Sequence, residues 1–359
     1  MANSNQRARE ARLRSKLMSW SAQNPRDLPW KVTRDPYTIW VSEIILQQTR
    51  IEQGTPYFLR FIKQYPTIFD LAKTSDNELM KIWEGLGYYR RARHMLETAI
   101  DIVMNYEGNF PTNFEQILAL KGIGSYTASA IASFAYDQPY AVVDGNVIRV
   151  IARLQGITQA VQTASVRKEI EMFADKFLDK NDPAGFNQAI MDFGATICKP
   201  SNPMCDSCVL RDDCIALERN QTHLIPYKIQ KKPRRQRHFF YLVPRLGDRV
   251  FIRKRAQKDI WQDLFEFYLI ESDQKETWQD LLGRVLLPID QSSSAPLYYK
   301  QTLSHQVVFA SFLEVTLKQD VSLLKKQGYL SVKTKNIRNF AFPKVIDCYL
   351  KEKDVILDL

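Results

Sequence analysis

Leu120-Lys121-Gly122-Ile123-Gly124-Ser125-Tyr126-Thr127-Ala128 is the stretch on which the reading of this chain turns. Two glycines one residue apart set a tight turn, and the small residues after them open a helix. Glycine lets the backbone approach a ligand closely and the first N–H groups of a helix lack partners, so Gly122 and Gly124 can hold a phosphate oxygen, with Lys121 beside them. Taken alone, Gly-x-Gly is more often a mere turn. Further on, Tyr140-Ala141-Val142-Val143-Asp144-Gly145-Asn146-Val147-Ile148-Arg149 places an acid where an apolar run ends and another helix begins. An Asp before a helix is first of all an N-cap. The N–H groups and dipole at that position predict a carboxylate that stays ionised.

Outward from the hairpin, apolar residues recur at three and four spacing from Asn5 to about Arg219, clearly so in Asp76 to Trp83, Arg91 to Met104 and Val166 to Leu178. The first two thirds therefore read as nearly all helix. Lys228 to Arg237 holds six Lys or Arg, one proline and no acid, a composition that suggests a solvated connector. Beyond it, Phe239 to Val243, Val250 to Arg253, Phe265 to Ile270 and Val307 to Leu317 are rich in aromatic and β-branched residues, as strands are. The expected fold class is multidomain: a mostly α-helical domain over 1–225 that includes a four-cysteine loop at 198–214, a basic connector at 226–237 and a smaller α+β domain over 238–359.

At 359 residues, 45% hydrophobic and 25% charged, the chain is neither disordered nor collagen-like. No run approaches the roughly 18 apolar residues needed to span a bilayer. Met1 to Ser15 is polar and Arg-rich without an apolar signal core, so a cytoplasmic protein with no membrane partner is expected. The net charge of +10 makes an acidic polymer a natural partner.

Four of the five cysteines, Cys198, Cys205, Cys208 and Cys214, fall within 17 residues, which suits convergence on one metal centre rather than a disulfide framework. Four thiolates suit tetrahedral zinc or an iron-sulfur cluster, and residue chemistry does not choose between them. Glu43 projects between Ile39 and Trp40 of the turn before and beside Leu46 of the turn after, so it should be partly desolvated. Desolvation raises a carboxyl pKa, which a general acid working near neutral pH needs.

Gly-x-Gly hairpin, Val-Val-Asp and four-cysteine loop, in that order and at those distances, resemble the helix-hairpin-helix glycosylases of base-excision repair. Trp40-Val41-Ser42-Glu43-Ile44-Ile45-Leu46-Gln47-Gln48-Thr49, Trp83-Glu84-Gly85-Leu86-Gly87-Tyr88-Tyr89-Arg90-Arg91-Ala92-Arg93 and Phe186-Asn187-Gln188-Ala189-Ile190-Met191-Asp192-Phe193-Gly194-Ala195 narrow the likeness to the MutY family of adenine DNA glycosylases. The resemblance is strong over Arg9 to Pro226 and weak beyond.

The resemblance implies a monomeric, nucleoid-associated enzyme that removes adenine opposite 8-oxoguanine or G in duplex DNA, with one [4Fe-4S] cluster on the four cysteines. It implies that Glu43 protonates N7 of adenine and helps activate water, while Asp144 steadies the sugar cation and Asn146 assists. Two carboxyls with pKa values pushed apart suit such a cleavage. Arg26, Trp30 and Gln188 match positions around the adenine pocket; Gln48, Thr49, Leu86 and Tyr88 match DNA contacts, Tyr88 as a wedge. Strand-cutting relatives of this fold carry a Schiff-base lysine where this chain has Tyr126, which implies a monofunctional enzyme. The last third resembles a Nudix fold without the Nudix box of glutamates, so the implied role is lesion reading through Ser304 and His305. Leu303 replaces the family aromatic there. Two readings compete: a pyrimidine or mismatch glycosylase of the same fold, disfavoured by Tyr126 and the added domain, and a catalytically silent DNA-binding protein, disfavoured by Glu43 and Asp144.

Overall fold

The structure, a computed structural model, describes residues 2–229, 233–274, 276–292, 295–319 and 321–357. Residues 230–232 of the expected connector lie outside the described residues.

The chain forms two compact units, Met1–Lys73 with His94–Lys231, and Thr74–Arg93 with Lys232–Leu359. The first is helical, and its centre is the helix Pro36–Leu46. Asp35 caps it by accepting from the N–H groups of Tyr37 and Thr38, and Pro36 fills a first-turn position where no N–H is needed. Tyr37 and every residue from Ile39 to Ile45 are buried, so this is an internal helix rather than a surface amphipath. The helix Ser125–Tyr136, rich in small residues, packs on it. A second core gathers Val147, Ile151 and Leu154 of the helix Gly145–Gln155 with Phe186, Ile190 and Phe193 of the helix Pro183–Thr196 and with Leu13 and Leu17 of the helix Ala2–Gln23.

The second unit is built on an eight-stranded sheet: β1 Arg235–Leu246, β2 Arg249–Lys254, β3 Phe265–Glu266, β4 Tyr268–Ser272, β5 Ile289–Ser292, β6 Leu297–Thr302, β7 Gln306–Leu317 and β8 Leu330–Lys333. β1 and β7 run parallel at its centre and the other pairings are antiparallel. Parallel neighbours need a long crossover, and here most of the unit lies between them. Tyr241, Phe312 and Tyr349 stack face to face beneath the sheet. The expected fold class, an α-helical domain with a cysteine loop followed by an α+β domain, is therefore the observed one.

Two details depart from the linear reading. Arg235 to Arg237, assigned to a solvated connector, begin β1, and Arg237 is only 5% exposed. Its charge is taken by Asp259 and Glu271, partners too distant in sequence for composition to reveal. Thr74–Arg93 joins the second unit instead of the first. Glu84 accepts from the Phe342 N–H at 3.0 Å, Asp76 pairs with Lys254 at 2.7 Å, and Arg93 pairs with Asp263.

Candidate active site

A cavity of about 460 Å³ opens in the helical unit, lined among others by Arg26, Trp30, Glu43, Gln48, Thr49, Tyr126, Asp144, Asn146 and Gln188. Nine residues separated by up to 162 positions in sequence thus share one space.

Glu43 is 7% exposed, on the internal helix. Burial pushes its carboxyl up to about 7, against the pull of a hydrogen bond from Tyr126 and with a smaller push from Asp144. Tyr126 donates its hydroxyl to Oε2 at 2.6 Å. Burial and the neighbouring carboxyls drive the phenol well above its ordinary range, so it stays a donor. Tyr126 reaches Glu43 because it occupies the first turn of the helix that packs against Pro36–Leu46.

Asp144 caps the helix Gly145–Gln155, accepting from Asn146 N and Val147 N at 2.8 Å each, and Asn146 Nδ2 donates to its second oxygen at 2.6 Å. The expectation of two carboxyls with pKa values pushed apart is corrected. Burial pushes Asp144 up, outweighing the hydrogen bonds from Val147 and Asn146 and the charge of Arg149. The two carboxyls are not pushed in opposite directions; they differ in partners. Asp144 has three donors on its oxygens, whereas Glu43 has one.

Three residues that motif reading passed over build this arrangement. Arg149 donates to Asn146 Oδ1 at 2.8 Å, to the Gly194 carbonyl at 2.6 Å and to the Cys198 carbonyl at 2.6 Å, which fixes the side chain that holds Asp144. Asn187, 2% exposed, accepts from Val142 N at 3.0 Å and donates to Tyr140 O and Ser133 Oγ at 2.9 Å each, pinning the strand-like run before Asp144. Asp192 lies on the cavity wall one turn after Gln188, paired with Arg26 at 3.0 Å and with Lys31. The i, i+4 spacing of Gln188 and Asp192 was the available signal, since such residues share a helix face. Gly194 lets the two helices meet, for a Cβ there would stand 2.7 Å from that of Asn146.

The hairpin glycines differ. Gly122 has φ +78°, and a Cβ on it would meet His94 at 2.6 Å, so the turn requires glycine. Gly124 has φ −96° and nothing within 4 Å of an added Cβ, so the fold itself does not require glycine there. Lys121, expected at a phosphate, pairs with Glu97 and remains 61% exposed. Gln48 and, in the second unit, Tyr88 have positive φ of 58° and 49°, a conformation that costs about 1 kcal/mol or more for residues with a Cβ. Tyr88 is exposed, but Leu86 is buried, so as a DNA contact it could offer only its backbone. Ser304 and His305 are exposed at the tip of the β6–β7 hairpin, with Ser304 Oγ 3.2 Å from His305 Nδ1.

The four cysteine thiols line a small common cavity of about 30 Å³ together with Arg153 and Arg211. Among the described residues no three ligand-type side chains close on a single metal ion. Arg153 donates to Cys198 Sγ at 3.4 Å, and burial pushes the thiols of Cys205, Cys208 and Cys214 up. Thiols so placed become thiolates on binding a metal centre, and four sulfurs beside two guanidinium groups fit an anionic iron-sulfur cluster. Cys348 lies in the other unit, on the helix Lys344–Leu357.

A hairpin-held helix, a buried acid and an N-capping aspartate around one cavity define a class of DNA glycosylase fold, and the comparisons agree. Residues 41–175 match the HhH-GPD superfamily of base excision DNA repair proteins and residues 239–352 match the NUDIX domain. The structure is similar to that of a thermostable thymine-DNA glycosylase, with TM-score 0.54, 30% identity and coverage of 59% of this chain and 98% of that one. An endonuclease III–DNA complex shares the fold, at TM-score 0.51 and 24% identity over 59% of this chain and 97% of that one. In sequence the chain is 34% identical to the adenine DNA glycosylase of Buchnera aphidicola subsp. Acyrthosiphon pisum, over 70% of this chain and 72% of that protein. It is 37% identical to the Arabidopsis thaliana adenine DNA glycosylase, over 71% of this chain and 47% of that protein, and 39% identical to the Homo sapiens one, over 57% and 39%. The chain belongs to the adenine DNA glycosylase family: it is a base-excision repair enzyme that acts on N-glycosyl bonds to release adenine. No helix among the described residues is long and apolar enough to cross a membrane.

Proposed function

We propose that this enzyme releases adenine paired with 8-oxoguanine or with G in duplex DNA, and that it does so as a monofunctional glycosylase. The supporting observation is the buried Glu43 with the Tyr126 hydroxyl 2.6 Å from Oε2, in the same cavity as Asp144. A base in the duplex is out of reach of these groups, so the adenine nucleotide is flipped into the cavity between Arg26, Trp30 and Gln188. Glu43, half protonated near neutral pH, gives its proton to N7, and the glycosidic electron pair leaves with the base. Asp144, its oxygens held by Asn146 and backbone N–H groups, steadies the oxocarbenium-like sugar. The Glu43 carboxylate then takes a proton from the water that adds to the sugar. Tyr126 has no amine and forms no imine, so the strand stays intact.

DNA is held by the Gly122 and Gly124 backbone with Lys121, and by Gln48, Thr49, Tyr88 and the backbone of Leu86, while Ser304 and His305 read 8-oxoguanine. Cys198, Cys205, Cys208 and Cys214 would hold a [4Fe-4S] cluster, which supplies a charged brace for its loop. The enzyme acts as a monomer in the nucleoid. The test is incubation with duplexes containing A opposite 8-oxoguanine, A opposite G, and oxidised pyrimidines, with and without later alkali. The expected result is adenine release from the first two and strand scission only after alkali. Scission without alkali, or excision of oxidised pyrimidines instead of adenine, overturns the reading.

A further inference from the structure

Asp192 is 6% exposed, and each of its oxygens is engaged by a different cation: Oδ1 by Arg26 Nη1 at 3.0 Å and Oδ2 by Lys31 Nζ. All three residues line the cavity. The two cations sit on an irregular segment between the helices Ala2–Gln23 and Pro36–Leu46, whereas Asp192 sits on the rigid helix Pro183–Thr196. Long cationic side chains on a loop lose rotamer entropy when fixed.

Stability does not by itself account for the trio, because a buried ion pair is often no more stabilising than apolar side chains of similar volume. Its geometry has another consequence. Asp192 occupies one nitrogen of Arg26 and one proton of Lys31, leaving further N–H donors of both on a wall of the cavity. Besides N7, which takes the proton, adenine offers ring nitrogens N1 and N3 as acceptors, and donors placed on them withdraw electron density from the departing purine. The two oxygens of Asp192 are already spent on the cations, so it need not touch the base.

We propose that Asp192 is the positioning residue for base recognition, holding Arg26 and Lys31 so that their remaining donors meet the acceptor edge of the flipped adenine. The inference rests on the adenine-excision reading above and adds the element that sets base affinity. The test measures binding of the full chain to two duplexes. One carries, opposite 8-oxoguanine, an adenine nucleotide whose 2′-fluorine blocks loss of the base; the other carries an abasic-site analogue there, which leaves the base pocket empty. Asp192→Asn, nearly isosteric, is expected to weaken the adenine duplex by about tenfold to a hundredfold, the range of a charge-assisted hydrogen bond, and the abasic duplex by less than about twofold.

In the Arg26→Ala/Lys31→Ala background the same change should have no further effect, because a residue acting through others is silent without them. Equal weakening of both duplexes means a structural role only, and a persisting effect in the double background means direct contact with the base; either overturns the proposal. Lys31→Met makes the same comparison without altering the helix, should Asp192→Asn not fold, and unchanged adenine affinity there also overturns it. Failure of the unmodified enzyme to prefer the adenine duplex over undamaged DNA would instead strike the excision reading itself.

Discussion

Both units set carboxyls against buried side chains, and they treat them in opposite ways. In the sheet unit Arg237 bridges Asp259 and Glu271, and Arg255 bridges Asp259 and Glu266 with N–O distances of 2.6 to 3.0 Å. Burial pushes Asp259 up, but hydrogen bonds and charge from Arg237 outweigh it and hold the group at about 2. In the helical unit burial pushes Glu43 to about 7, with only the Tyr126 hydroxyl in opposition. A carboxylate gripped by buried cations is a fixed structural anion; a carboxyl buried with one neutral donor is a proton carrier.

The largest expected effect breaks the comparison on the helical side. Glu43→Gln keeps the shape and removes the proton, so single-turnover adenine release should fall by about a hundredfold to ten-thousandfold while DNA affinity persists. The same change should stabilise the protein above neutral pH. Folded Glu43 keeps its proton to about pH 7 against a usual value of 4.5, so the native chain binds the extra proton between those values. Its stability is fully present below about pH 4.5 and is lost as pH rises through 7, by an amount on the order of 3 kcal/mol. Denaturant unfolding at pH 5 and pH 8 measures this; equal effects of Glu43→Gln at both would mean that Glu43 carries no raised pKa.

Next in size is the sheet side. Arg237→Met leaves Asp259 and Glu271 without their shared cation. Breaking a buried pair costs about 3–5 kcal/mol, reduced here to about 2–4 because both acids are near a third exposed. Denaturant unfolding should report it. The contribution tied to the low pKa of Asp259 is present above the usual 3.8 and is lost as pH falls toward 2, the opposite sense to Glu43. A loss below about 0.5 kcal/mol would make the network a surface ornament.

The smallest effect sharpens the contrast inside the cavity. The Tyr126 hydrogen bond lowers the Glu43 pKa, so Tyr126→Phe should raise it further and move the high-pH limb of the excision profile upward by about one unit. A downward or absent shift would mean that the proton comes from another group.

By itself the sequence determined the elements and the order of the site. Period-three-and-four apolar spacing gave the helices at Asp76–Trp83 and Ala164–Phe177, and β-branched runs gave the long strands, because local burial patterns follow from local side-chain spacing. Glu43 on an apolar helix and Asp144 at an N-cap were legible for the same reason: each depends on neighbours within one turn. Tertiary structure alone decided what each charge meets. Arg237 looked like part of a solvated connector and is buried on Asp259 and Glu271. Asp144 reads from sequence as an N-cap whose surroundings favour the anion, yet burial in the folded cavity pushes its carboxyl up. Asp192 finds Arg26 some 166 residues away, and Asn187 finds the Val142 N–H at a distance of 45. Electrostatic environment is a sum over all neighbours in space, and only folding brings those neighbours together.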